Sequence, residues 1–181
     1  MTTKKLVVAL TACMVMIFMA NFAGADETSH EFDIAKFDKI AKQAIGSIIS
    51  GNVDADAMLS DMEELLELGI SGCKEHMGEE ETPEVEKQLM QLVIDNAQAM
   101  TSMSLDDIEA QWHDGGAAAD QGIDIEQFDH FDEVMCHYDG VVHPATCIIC
   151  LNKYKKSKND ELLDQVQAEL EEVREHMKHL K

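Results

Sequence analysis

The sequence predicts an all-α protein, a helical bundle of about six helices, four of them long, stapled by disulfide bonds. Apolar residues recur at steps of three and four rather than alternating, which is the periodicity of helices. The 181 residues include 2 prolines, so few elements are interrupted. Four cysteines follow an N-terminal export signal, and an even number in an oxidising compartment favours disulfides. We therefore expect one helical domain over residues 26–181.

Residues 1–25 have the layout of a secretory signal peptide. Lys4 and Lys5 precede the apolar run 6–20, and Ala23 and Ala25 offer small residues at the cleavage site. An uncleaved anchor is the alternative, because residues 6–25 are about as long as a bilayer is thick. The pattern predicts export to the periplasm or secretion, with no membrane contact after cleavage.

The charge of the chain excludes one large class of partner. The formal net charge is −22, and cleavage would remove two lysines and no acid, giving about −24. No Lys or Arg lies between Lys87 and Lys153. Such a field repels nucleic acid and anionic membranes, and it favours solubility, cations or a basic protein partner.

The first three helices each have a start signal. Thr28 and Glu31 form a capping box for the first, Asp54 caps the second, and Thr82-Pro83 opens the third. Gly69 and Gly72 either weaken the second helix or permit a close helix contact. The predicted buried faces are Ile34, Phe37, Ala41, Ile45 and Ile48; Leu59, Met62, Leu66, Ile70, Cys73 and Met77; and Val85, Leu89, Leu92, Val93, Ala97 and Met100.

The second half predicts three further helices and a short one. Ser104 opens a short helix that Gly115-Gly116 closes, and Asp124 caps a fifth, which Asp139-Gly140 should break. His143-Pro144 then starts a short sixth helix. The fifth helix has the apolar seam Phe128, Phe131, Met135 and Tyr138. The last helix, after Ser157, has the seam Leu163, Val166, Leu170, Val173, Met177 and Leu180. That last seam packs inside the bundle or against a partner, so an oligomer is possible.

The four remaining cysteines are Cys73, Cys136, Cys147 and Cys150. Two disulfides among them would have three possible connectivities, and the sequence does not choose between these. The Cys147–Cys150 pair also has the CxxC spacing of a redox dithiol. It lacks the βαβ context of thioredoxin-like proteins, so thiol-redox chemistry remains an alternative rather than the leading interpretation.

The run CIICLNKYKK, residues 147–156, resembles the haem helix of cytochrome c′, a four-helix secreted protein. The resemblance implies a helical-bundle architecture. Covalent c-type attachment needs a histidine directly after the second cysteine, as the axial ligand. Leu151 stands there, so covalent c-type haem is not expected.

Two sets of residues are candidate metal ligands. The first is Cys136, His137, His143, Cys147 and Cys150, whose thiolate and imidazole groups suit zinc or copper. The second is a stripe of Glu126, His130, Glu133 and His137 at helical spacing on the predicted fifth helix. This stripe lies nearly opposite the seam, so a solvated face is the simpler interpretation.

The last helix repeats the pattern in Glu172, Glu175, His176 and His179. These residues lie off the predicted seam. Histidines in the last turn of a helix also complement the helix dipole, which is sufficient reason for their presence.

No catalytic motif stands out, because nucleophile elbows, P-loops, HExxH and Rossmann glycines are all missing. The leading hypothesis is an exported, non-enzymatic helical protein that binds an unidentified protein or cation. The alternatives are a periplasmic copper- or zinc-binding protein and a thiol-redox protein with a CxxC dithiol.

Overall fold

The computed structural model describes residues 32–180, and within that range the chain is helical and contains no β-strand. The predicted signal peptide and the Thr28 capping box lie outside these residues. The α-helices are α1 (Ile34–Ile49), α2 (Ala55–Gly78), α3 (Glu84–Met100), α4 (Leu105–Ile108), α5 (Gly116–Asp120), α6 (Glu133–Ser157) and α7 (Glu161–Met177), with a π-helical turn (Glu109–His113) and a 3₁₀ turn (Ile125–Gln127) between them. The all-α prediction is confirmed.

Helix α6 is the centre of the fold. Every residue from Val134 to Leu151 is buried, because α2, α3 and α7 pack around the helix and α1 packs against α2 and α7. By length and composition α6 could cross a membrane, but the whole of its apolar window is buried inside the protein. Its apolar character is that of a helix enclosed by other helices.

The prediction that Asp139-Gly140 ends one helix and Pro144 starts another is wrong, because α6 runs through both positions. Proline has no N–H, so the carbonyl of Gly140, one turn earlier, loses its helical donor. That carbonyl faces Gly69 of α2, where an added Cβ would lie 2.1 Å from the Gly140 oxygen. Gly69 therefore permits the close helix contact, and the burial of α6 compensates for its internal proline.

The predicted start of the fifth helix at Asp124 is also wrong. Asp124 caps the short 3₁₀ turn instead, and α6 begins at Glu133. Between them the side chain of Asp132 accepts a hydrogen bond from the Asp129 N–H at 2.7 Å. Aspartate side chains that bind nearby backbone groups compete with helix formation. Phe131, predicted on the seam, is consequently 45% exposed.

Several local predictions are confirmed. Asp54 accepts hydrogen bonds from two backbone N–H groups at the start of α2, and Ser104 accepts one from Asp107 at the start of α4. The predicted seam of the last helix is buried at every position: Leu163, Val166, Leu170, Val173, Met177 and Leu180. This seam packs inside the bundle, against α6 and α1.

The predicted disulfide staple is not found. Cys73, Cys136, Cys147 and Cys150 all lie in the described part of the chain, and each is free and buried. Three of the thiols instead approach backbone carbonyls, those of His137, Phe131 and Val166. The cohesion of the bundle therefore comes from apolar packing around α6, without sulfur crosslinks.

Candidate metal centre

A cavity of about 470 Å³ opens between the π-helical turn, α6, α7 and the segment that precedes α6. Its lining is dominated by imidazole and carboxylate groups: Glu109, His113, Asp114, Glu126, His130, Asp139, His143, Glu169, Glu172 and His176. A larger groove of about 640 Å³ runs along α2, but no histidine or cysteine lines it. The smaller cavity is therefore the place where metal-ligating side chains converge.

Helical spacing explains this convergence. Asp139 and His143 are four residues apart on α6, and Glu169, Glu172 and His176 follow at steps of three and four on α7. Residues at these spacings share one face of a helix, and α6 packs against α7. The carboxylates and histidines of α6 therefore lie beside those of α7.

The π-helical turn supplies the third side of the cavity. The Asp114 N–H donates to the Glu109 carbonyl at 2.8 Å, which widens the turn by one residue. The Tyr138 hydroxyl of α6 donates to the Trp112 carbonyl at 2.8 Å and holds the turn against α6. This anchor places His113 beside His143, with ring centroids 5.1 Å apart.

The first candidate ligand group in the cavity is His113, His143 and Glu169. The Glu169 Oε2 atom lies 2.7 Å from His143 Nδ1 and 3.7 Å from His113 Nε2. His113 Nε2 also lies 3.0 Å from the hydroxyl of Thr146, which itself donates to the Val142 carbonyl. Because the Thr146 hydroxyl donates to Val142, it accepts the hydrogen bond of His113 Nε2, and the Glu169 oxygen is hydrogen-bonded to His143.

The field at His143 is strongly negative. Burial lowers the pKa of His143, but the hydrogen bond to Glu169 and the charges of Asp139, Glu169 and Glu172 raise it, and the net direction is upward. A site that raises the pKa of a fully enclosed imidazole favours positive charge there. The same field attracts a metal cation, which must displace the proton from His143 in order to bind there.

The second group is His130, Asp139 and His176. His176 is 1% exposed, and its Nε2 lies 2.8 Å from His130 Nε2. Its Nδ1 lies 2.7 Å from Asp139 Oδ2, yet the angle is not that of a hydrogen bond and the atom has no other partner. One ligand atom from each of His130, Asp139 and His176 lies within 4.8 Å of the other two, which is close enough for the three to share one ion.

The two groups belong to one cavity, since the rings of His143 and His176 are 5.9 Å apart. Each group combines two imidazoles with one carboxylate. Three protein ligands of this kind leave a coordination position for water or a small ligand, as in open zinc sites.

A third group, His76, Glu133 and His137, lies where α2 meets the start of α6. It shares no residue with the lining of the cavity. His137 is buried, and this burial together with the neighbouring His76 lowers its pKa to about 4.

The structure separates both sets of residues proposed from the sequence. Among residues 32–180 no metal-ligand group includes Cys136, Cys147 or Cys150. His137 belongs to the third group and His143 to the first. The stripe is divided too, because His130 joins the second group, Glu133 joins the third, and Glu126 only lines the cavity.

The environment of the CxxC pair raises the pKa of both thiols. Burial raises the pKa of Cys150 to about 12, with the charge of Glu169 adding to the effect. Burial also raises the pKa of Cys147 well above its usual range. A reactive CxxC needs a lowered pKa and access to solvent.

Local spacing does not identify His76, Asp139 or Glu169 as ligands, and it leaves His113 open as a helix cap or a ligand. The helix dipole accounts for the position of His176 in the last turn, but its side chain is buried. The signal that could have found it was the shared spacing of Glu169, Glu172 and His176, once α6 was known to be a continuous helix facing α7.

Comparison of the chain with protein-family models, with curated proteins and with solved structures gave no match.

Proposed function

We propose that this protein is an exported binding protein for divalent transition-metal ions. The ions bind in the cavity between the π-helical turn, α6 and α7. The N-terminal pattern of residues 1–25 supports export. The leading hypothesis from the sequence, an exported binding protein of unidentified ligand, thereby becomes one with a cation as its ligand.

One observation carries this proposal. The enclosed imidazoles of His143 and His176, 3% and 1% exposed, each lie within 2.8 Å of another donor group in a cavity rich in carboxylates. His176 Nδ1 is also buried without a hydrogen-bond partner, which is unfavourable unless the atom coordinates a metal. Each trio of ligands holds one ion.

The donor set indicates which ions fit. Imidazole nitrogen and carboxylate oxygen suit Zn²⁺ and other divalent first-row ions. Cu(I) prefers thiolate and thioether sulfur, and the cysteines lie outside the groups. Zinc or divalent copper therefore fits better than Cu(I).

The test is zinc binding by the whole chain, stripped with EDTA and titrated by calorimetry. The double variant His143→Gln/His176→Gln removes one ligand from each trio. We expect zinc affinity at the cavity to fall by about 100-fold or more, since even outer-shell changes cost about 10–100-fold.

His179→Gln is the matched control. This histidine lies on the same segment as His176 and stacks on Phe131, outside the ligand groups. It should bind zinc like the unaltered protein. If the double variant and this control retain equal zinc affinity and stoichiometry, the proposed function is wrong.

A further inference from the structure

The group formed by His76, His137 and Glu133 has an unusual feature, because it contains two enclosed imidazole nitrogens without partners. His76 comes from α2 and His137 from α6, and their ring centroids are 5.3 Å apart. They are 5% and 6% exposed. In each ring the Nδ1 atom is shielded from solvent and has no hydrogen-bond partner.

The hydrogen bonding of His76 determines which of its nitrogens is free to bind. Its Nε2 lies 2.9 Å from Glu86 Oε2, a carboxylate on α3. A carboxylate accepts a hydrogen bond, so Nε2 carries the hydrogen and, in the neutral imidazole, Nδ1 keeps its lone pair. A metal-ligating histidine typically donates its other N–H to a carboxylate or carbonyl in this way.

The ring of His137 is held by packing alone. Phe32 meets it edge-on, with centroids 5.4 Å apart. Gly72 lies beneath it, where an added Cβ would be 2.7 Å from Nδ1. The missing side chain of Gly72 thus leaves room for the nitrogen.

Glu133 completes the group from one turn before His137 on α6. One ligand atom from each of His76, Glu133 and His137 lies within 4.8 Å of the other two. Glu133 is exposed, so the group has an enclosed imidazole side and an open carboxylate side. An ion can reach it from solvent.

We propose that Nδ1 of His76, Nδ1 of His137 and the carboxylate of Glu133 bind a separate divalent transition-metal ion of the zinc class. Glu86 is a positioning residue that fixes the tautomer of His76. The ion joins α2 to α6 and, through Glu86, to α3. This site is independent of the cavity, and the two proposals can fail separately.

The test uses the His143→Gln/His176→Gln chain as background, so that cavity binding is removed. EDTA-stripped protein is titrated with zinc alone by calorimetry, and Co²⁺ absorption reports the ligand field. We expect the background to bind one equivalent of zinc. Adding His137→Gln should abolish that equivalent, whereas adding Glu80→Gln, an exposed acid outside the group, should leave it unchanged.

Glu86→Gln separates a positioning role from a purely structural one. We expect zinc affinity to fall by about 10–100-fold, with an altered Co²⁺ spectrum and an unchanged circular dichroism spectrum. The proposal is overturned if the folded background binds no zinc or if His137→Gln leaves the equivalent in place.

A further variant covers the case in which the background chain does not fold. Glu133→Gln changes an exposed side chain in the otherwise unaltered protein, and it should lower the zinc stoichiometry by one relative to Glu80→Gln. An equal stoichiometry in these two variants also overturns the proposal.

Discussion

At the scale of single residues, the buried histidines are notable for ring nitrogens that have no hydrogen-bond partner. Nε2 of His76 is hydrogen-bonded to Glu86, and its Nδ1 has no hydrogen-bond partner. His176 approaches His130 with one nitrogen and Asp139 with the other. A buried polar atom without a partner costs about 1–3 kcal/mol. Such atoms occur in His76, His137 and His176, and the proposed metal sites rest on them.

The cysteines lead to a prediction at the same scale. In the chain that begins at Asp26, native protein should react with Ellman's reagent far more slowly than unfolded protein. The thiols are buried, and burial raises the pKa of Cys136 and of Cys150 to about 12. The measurement is the absorbance of the released thiolate over time.

Unfolding in guanidinium provides the control, because all four thiols of that chain should then react. Rapid reaction of Cys147 and Cys150 in the native protein would contradict their burial. It would support the hypothesis that the CxxC pair is a redox dithiol.

At the scale of helices, the fold depends on how closely α2 approaches α6. Gly140 and Pro144 are poor residues for a helix interior, costing about 1 and 3 kcal/mol relative to alanine. Tertiary packing outweighs that cost because α6 is enclosed on all sides. Gly69 lets the two backbones meet at the carbonyl that Pro144 leaves without its helical donor.

Gly69→Ala should therefore destabilise the protein by about 3 kcal/mol or more, since an added Cβ would meet backbone rather than a flexible side chain. Urea unfolding followed by circular dichroism measures the change. The control is Gly46→Ala in α1, where nothing lies within 4 Å of the added Cβ. That variant should be more stable by up to about 1 kcal/mol. Equal effects at both positions would show that helix propensity, not contact, governs them.

At the scale of the whole molecule, an excess of acid is gathered around α6 with few bases to offset it. In the described residues, Lys and Arg form ion pairs between helices in Lys36–Glu64, Lys155–Asp56 and Arg174–Asp38. Bound cations would relieve the repulsion among the enclosed carboxylates. We propose that metal ions take the stabilising role that disulfides were expected to have.

If metal ions rather than disulfides stabilise the fold, zinc and a thiol reductant should affect the thermal stability differently. Zinc at about 100 times its dissociation constant should stabilise the protein by about 2.7 kcal/mol for each site, because it binds the folded state preferentially. Dithiothreitol should leave Tm unchanged, since the four buried cysteines form no disulfide. Scanning calorimetry of EDTA-stripped protein, with and without each reagent, makes the comparison. A large fall in Tm with the reductant would contradict the free thiols.

The sequence by itself determined the helical class, the caps at Asp54 and Ser104, and the buried seam from Leu163 to Leu180. Each of these depends on local spacing or on a side chain that binds its own backbone. The continuity of α6 and the three metal-ligand groups were decided by tertiary structure. Pro144 and Gly140 break a helix unless other helices enclose it, and Gly69 lies far from them in the chain. His76 and His137, like His113 and Glu169, become neighbours only when α6 is surrounded, because no local periodicity relates residues on different helices.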